Sequence, residues 1–211
     1  MSSISLQWFY ENYNVLIEIF GAITGLLYLY FSIKQNIWLW PLGLITSALY
    51  VYVFFITRFY ADMGLNVYYV VISIYGWYHW LYGGKSLGKN TLNVSAVSTG
   101  MAVILVSLTI GIYWLLVLAL KKLPELLEIE VSELLYWDAF TTAASIIATW
   151  MLARKIIEHW LVWIVVDAVS LGLYFYKGMY PTVILFLVYT VMAIKGYIEW
   201  KKDLKTEKIR F

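Results

Sequence analysis

Seven segments of this chain are mostly apolar and close to the length of a membrane-crossing helix, and short joints separate most of them. A helix needs about 20 such residues to cross a bilayer. In hydrocarbon every backbone N–H and C=O must find its partner within the chain, so only helices or closed barrels can span. The segments lie near 15–33, 37–57, 61–81, 96–120, 138–153, 158–176 and 179–200, the fifth being the shortest. Lys34-Gln35-Asn36, Thr57-Arg58, Gly83-Gly84-Lys85 and Lys177-Gly178 form joints. The long joint 121–137 is acidic and contains Pro124. Its Leu126, Leu127, Ile129, Leu134 and Leu135, interleaved with Glu, predict a short amphipathic surface helix. Charged residues make up 13% of the chain, against about 25% in soluble domains. The chain therefore reads as an all-α integral membrane protein with little mass outside the bilayer.

The second constraint is internal similarity at an offset of 120 residues. Gly76 and Trp80 fall on Gly196 and Trp200, Tyr69 on Tyr189, Tyr60 on Tyr180, Ala48 on Ala168, Trp40 on Trp160 and Ile37 on Ile157. Between 34–80 and 154–200, 11 of 47 positions agree, where about four are expected by chance in so biased a composition. The repeat covers segments 2–3 and 6–7 and, by register, 1 and 5. This predicts seven transmembrane helices in a 3+1+3 arrangement of parallel three-helix repeats. The organisation is a first triplet over 1–95, a linker helix and acidic joint over 96–137, and a second triplet with a basic tail over 138–211. Parallel repeats imply a pseudo-twofold axis along the membrane normal, with a substrate site where the halves meet.

Lys and Arg placement predicts orientation. One face holds Arg58, Lys121, Lys122 and Lys177. The other holds Lys34, Lys85, Lys89, Arg154, Lys155, Lys201, Lys202, Lys205, Lys208 and Arg210, a count of 4 against 10. The N-terminus is expected outside and the C-terminus in the cytoplasm, beside anionic membrane lipid. No cleaved signal peptide is evident.

Ionisable groups at membrane depth are costly and need a partner or a wet cavity. Asp167 lies mid-way along segment 6 and Lys195 in the last third of segment 7. They read either as a structural ion pair or, for Asp167, as a cation-attracting group on a pathway. Thr46, Ser47, Tyr50, Asn66, Tyr69, Thr141, Thr142, Ser145, Thr149, Ser170, Tyr174, Tyr189 and Thr190 are also at depth. Ser and Thr there commonly bond the backbone or a neighbouring helix, whereas an amide such as Asn66 needs several partners and suits a cavity wall. Trp8, Trp38, Trp80 and Trp200 are expected in the interfacial belt. Trp40, Trp160, Trp163, Tyr50 and Tyr69 lie where a flat or cationic ligand could stack. The halves disagree at Ser47 against Asp167 and at Asn66 against Phe186, which is where an asymmetric substrate would be read.

Enzyme signals fail. Gly84-Lys85-Ser86 lacks the first glycine of a phosphate loop, its place being taken by His79. His79 and His159 sit at separate helix ends with no metal-ligand spacing, and no Ser/His/Asp set is suggested. There is no cysteine, hence no disulfide or thiolate site. Gly21-x-x-x-Gly25 reads as close helix packing. No enzymatic activity, metal, cofactor or nucleic-acid partner is expected.

Phe59-Tyr60-Ala61-Asp62 followed by Tyr75-Gly76-Trp77-Tyr78-His79-Trp80 resembles the first half of the PnuC family of vitamin transporters. Arg154-Lys155, His159-Trp160-Leu161-Val162-Trp163, Val169-Ser170 and Gly178-Met179-Tyr180 resemble its second half. The resemblance implies the seven-helix fold shared with the sugar-transporting SWEET proteins. It also implies facilitated diffusion of a cationic B vitamin, nicotinamide riboside or thiamine, across the bacterial inner membrane, with a cytoplasmic vitamin kinase trapping the substrate. Binding roles carry over to Asp167, Asn66, Trp163, Trp160, Thr46 and Tyr50; Tyr69, Ser170, Tyr189 and Lys195 complete the candidate set. Riboside carriers are expected to bear Asn at the positions of Thr46 and Asp167 and Gln at Asn66, so the site favours thiamine slightly. Two other readings stand beside this one: a proton-coupled carrier using Asp167 and Lys195, and a non-transporting membrane scaffold. Self-association into a homo-oligomer is left open.

Overall fold

The computed structural model describes residues 19–56, 60–84, 92–127 and 133–209. Trp8, Arg58, Lys85, Lys89, Ile129 and Arg210 lie outside them. The described residues form seven helices: α1 (Ile19–Ile33), α2 (Leu39–Ile56), α3 (Tyr60–Tyr82), α4 (Thr99–Leu127), α5 (Leu135–Ala153), α6 (His159–Tyr176) and α7 (Tyr180–Ile209). α2, α4, α6 and α7 are each long and apolar enough to cross a membrane by themselves. α5 falls short because it faces protein: eleven of its 19 residues are buried, among them Ala139, Ala143, Ala144, Ala148, Ser145 and Thr149. A helix sheltered by neighbours can trade apolar bulk for small residues that allow close approach.

Two helices run on beyond the sequence expectation. α4 continues through Pro124 to Leu127 instead of giving way to a separate surface helix at 121. α7 carries the basic tail as helix to Ile209. Lys, Leu and Glu are good helix formers, and the bilayer boundary does not itself end a helix. The expected amphipathic helix is therefore corrected: its first part belongs to α4, and α5 already begins at Leu135.

The α1–α2 and α5–α6 joints have the same construction. Gln35 and Lys155, 120 residues apart, both take left-handed backbone angles, with φ of 49° and 52°. In the first joint Gln35 N–H donates to Ser32 O (3.0 Å) and Asn36 N–H to Phe31 O (2.8 Å). In the second Lys155 N–H donates to Leu152 O (2.9 Å) and Ile156 N–H to Met151 O (2.9 Å). This is the paired-bond helix stop that usually ends on glycine. Two larger residues here accept the steric cost.

Tryptophans fix each half and tie it to the other. A Cβ on Gly76 would collide with the Trp40 ring, and one on Gly196 with the Trp160 ring. Trp40 meets Trp80 edge-on at 5.4 Å, and Trp160 meets Trp200 edge-on at 5.8 Å. Trp80 Nε1 then donates across to Leu152 O (3.3 Å), and Trp200 Nε1 to Ser32 O (3.1 Å). The expectation that Trp80 and Trp200 are interfacial is thus corrected: both are buried, because each indole N–H serves a carbonyl at the end of a distant helix. Trp38 is 63% exposed and remains available to an interface.

Residues 92–98 form an extended strap across the second joint. Ser95 N–H donates to Lys155 O and Ile157 N–H to Ser95 O, both at 2.9 Å. Glu158 Oε2 accepts from Val97 N–H at 3.0 Å. The strap leads into α4, whose Leu105 and Val117 pack with Ile147, Met151, Leu135 and Ala139 of α5.

Candidate functional site

α1 shows how local pattern builds the site. Gly21, Thr24, Gly25, Tyr28 and Ser32 recur every three or four residues and so share one helix face. Ile19, Ile23, Leu27 and Tyr30 occupy the opposite, exposed face. The polar face lines two adjoining cavities, of about 230 and 160 Å³. Gly25, Tyr28 and Trp163 border both. Joined, they reach the lower end of the about 300–1,000 Å³ usual for small-molecule sites.

The larger cavity is walled by α1, α2, α3, α5 and α6, with Thr46, Ser47, Tyr69, Ser73, Thr149 and Trp163 on its surface. Thr46 Oγ1 is buried with no hydrogen-bond partner among the described residues. Thr149 Oγ1 instead donates to Ser145 O at 2.8 Å, as Thr141 and Thr190 do to their own helices. The smaller cavity is walled by α1, the end of α5, α6 and α7, with Ser32, His159, Trp160, Trp163, Asp167 and Tyr189. Asp167 is 5% exposed and makes no ion pair among the described residues.

Of the candidate set, Thr46, Tyr69 and Trp163 border the larger cavity, and Trp160, Trp163, Asp167 and Tyr189 the smaller. Tyr50 stacks on Phe54 (5.7 Å), and its hydroxyl occupies the space a side chain at Gly21 would take. Tyr189's hydroxyl does the same at Gly25. The Gly21-x-x-x-Gly25 pattern is therefore room for two tyrosine hydroxyls, not a flat face for helix crossing. Ser170 is buried on α6, three residues beyond Asp167. Asn66 is half-buried on α3 and borders neither cavity. Lys195 is exposed, borders neither cavity and does not pair with Asp167.

Tyr28, Ser32 and His159 also line these cavities but were not in the candidate set. Tyr28 and Ser32 were readable from the α1 face periodicity alone. His159 falls on Leu39 in the repeat, a contrast whose meaning needs the neighbours of its ring. No group of three or more His, Cys, Asp or Glu suited to a metal ion occurs among the described residues. The site offers aromatic faces, hydroxyls, one imidazole and one carboxylate, which suits holding a cationic ring.

The sequence matches the family described as nicotinamide mononucleotide transporter over residues 15–202. It is 26% identical over 204 residues to the nicotinamide riboside transporter PnuC of Escherichia coli, covering 87% of this chain and 84% of that protein. The PnuC of Neisseria mucosa is 29% identical over 197 residues, with 88% and 72% covered. The riboflavin/roseoflavin transporter RibM of Streptomyces davaonensis is 23% identical over 196 residues, with 90% and 87% covered. The crystal structure of the vitamin B3 transporter PnuC superposes with a TM-score of 0.67 at 24% identity, covering 97% of this chain and 88% of that one. The fold is that of this transporter, and the relatives are transport proteins rather than enzymes.

Proposed function

We propose that this chain, which belongs to the nicotinamide mononucleotide transporter family, carries a cationic B vitamin across the bacterial inner membrane by facilitated diffusion. Thiamine is favoured over nicotinamide riboside. The observation that carries this reading is Asp167: a buried carboxylate on the wall of an aromatic-lined cavity, with no cationic side chain paired to it among the described residues. A lone carboxylate in a low-dielectric interior is unfavourable. A bound organic cation would supply the missing charge while its ring stacks on Trp163 or Trp160. The relatives' names support a flat vitamin as cargo. The preference for thiamine rests on Thr46, Asp167 and Asn66 standing where riboside carriers are expected to bear amides.

Transport follows from two triplets, α1–α3 and α5–α7, rocking about an axis between them with α4 as linker. The matched joints at Gln35 and Lys155 and the exchanged Trp80 and Trp200 bonds support this plan. With the N-terminus outside and the basic tail inside, a cytoplasmic kinase would hold the substrate as its phosphate. Uptake then needs no ion gradient. The exposure of Lys195, away from both cavities, favours this over a proton relay.

The test is thiamine and nicotinamide riboside uptake into vesicles with and without a protonophore, for wild type and Asp167→Ala. The expected result is saturable uptake that survives the protonophore and is lost in the variant. Full uptake by Asp167→Ala would remove the carboxylate from the site. Collapse with the protonophore in vesicles lacking kinase would establish ion coupling.

A further inference from the structure

His159 is the first residue of α6, and none of its surface is exposed. It borders the smaller cavity, between Trp160 (ring centroids 4.5 Å apart) and Trp200 (4.8 Å, edge-on). Its Nδ1 lies 2.7 Å from Ile156 O. A carbonyl only accepts, so Nδ1 carries the proton, and in the neutral ring Nε2 is a bare acceptor. That Nε2 is buried with no partner among the described residues. Two more polar atoms on residues bordering the same cavity share this state, Ser32 Oγ and Trp160 Nε1, the latter in common with its repeat counterpart Trp40 Nε1, which borders neither cavity.

Packing does not require an imidazole here. The position 120 residues earlier, at the matching start of α2, is Leu39, which is equally buried. The backbone is the same in both: Leu39 N–H donates to Asn36 O at 3.2 Å and His159 N–H to Ile156 O at 3.3 Å. One half fills the position with an apolar side chain that needs no partner. The other fills it with a ring whose second nitrogen is buried unmet, an arrangement that costs stability unless something bonds it. The residues that share the state are an acceptor at His159, a donor at Trp160 and a hydroxyl at Ser32 that is both. An alcohol group, donating one bond and accepting two, satisfies that set.

We propose that His159, with Ser32 and Trp160, forms a hydroxyl-binding end of the cavity. It sets specificity by holding an alcohol of the substrate while Asp167 holds the cationic ring. The inference rests on the reading of this cavity as a vitamin site and adds which end of the substrate lies where. A substrate with a positively charged ring and a hydroxyalkyl or ribosyl arm satisfies both ends. A cationic ring alone satisfies only one.

Calorimetric titration of the purified full-length chain tests this with two ligand pairs. One is thiamine and its analogue with ethyl in place of hydroxyethyl; the other is nicotinamide riboside and the 1-methylnicotinamide cation. In wild type the hydroxyl-bearing member that binds should do so about five- to tenfold more tightly than its hydroxyl-free partner. His159→Leu, which copies Leu39, should abolish that gap by weakening only the hydroxyl-bearing ligand. Its unliganded melting temperature should not fall. Equal loss for both members, or an unchanged gap, would overturn the proposal and leave His159 as a packing or water-holding residue. Should the variant fail to fold, a wild-type gap of less than twofold overturns it independently. Wild type that binds no member of either pair would sink the vitamin reading itself, and this proposal with it.

Discussion

The α1 and α5 helices stand at matching positions of the 120-residue register, yet one faces outward and the other is enclosed. Ile19, Ile23 and Leu27 are 51%, 53% and 44% exposed; their counterparts Ala139, Ala143 and Ile147 are 0%, 0% and 8% exposed. Among the described residues, α4 packs over this face of α5. The joints that follow these helices instead share their two stop bonds and the first bonds of the next helix. Shared features are those that close the backbone or seat a tryptophan on a glycine, where few side chains fit. Divergent features are those that meet a neighbour present in only one half, or that face the cavities. Ser47 against Asp167 and Leu39 against His159 belong to the second kind.

The largest break in the comparison is the charge. Asp167→Ala should weaken binding of a cationic vitamin by about 2–5 kcal/mol, the usual cost of removing one member of a buried charge pair. That is about 30-fold to several thousandfold in Kd. Ser47→Ala, its counterpart across the repeat, removes one neutral hydroxyl and should cost less than about tenfold. Titration of both variants, by calorimetry or tryptophan fluorescence, decides this. Comparable losses would mean that the site reads both halves alike.

The shared features should break alike. Gly76→Ala and Gly196→Ala each drive a methyl group into a buried indole, Trp40 or Trp160. Each should destabilise the protein by about 1–3 kcal/mol, the range for overpacking, seen as a lowered melting temperature in detergent. A variant tolerated on one side only would show that the two tryptophan seats are not equivalent. The α1–α5 contrast sharpens with an exchange of residue size. Ala143→Leu should cost about 1–3 kcal/mol because α4 closes over that face. Ile23→Ala, at the equivalent exposed position, should stay within about 0.5 kcal/mol.

The helices were legible because spans are set by apolar length, and the repeat was legible because tryptophan and glycine are rare enough to align. The left-handed turns at Gln35 and Lys155 were not, since neither residue has the glycine or asparagine signature of that conformation. Trp80 and Trp200 were misread because a tryptophan at a helix end suits an interface and a buried carbonyl partner equally well. Only the fold reveals that Leu152 O and Ser32 O lie within reach. Asp167, Trp160 and Trp163 stood out by charge or by aromatic spacing. His159 did not, because its meaning lies in contrast with Leu39 and in the neighbours of its second nitrogen. Lys195 stood out for its charge alone, and its placement on an exposed face removes the reason to pair it with Asp167.

That placement carries the smallest expected effect. A lysine long enough to bring its ammonium to water crosses only apolar surface with its stem, and desolvation does not press it toward a buried partner. Lys195→Gln keeps the length and a polar tip while removing the charge. Uptake of a cationic vitamin by this variant should stay within about twofold of wild type, since surface substitutions away from special features change little. Its pH profile should overlay that of wild type. Loss of uptake with retained binding would place Lys195 on the transport cycle. The second half would then hold a charge relay that the first half lacks, not only a binding charge.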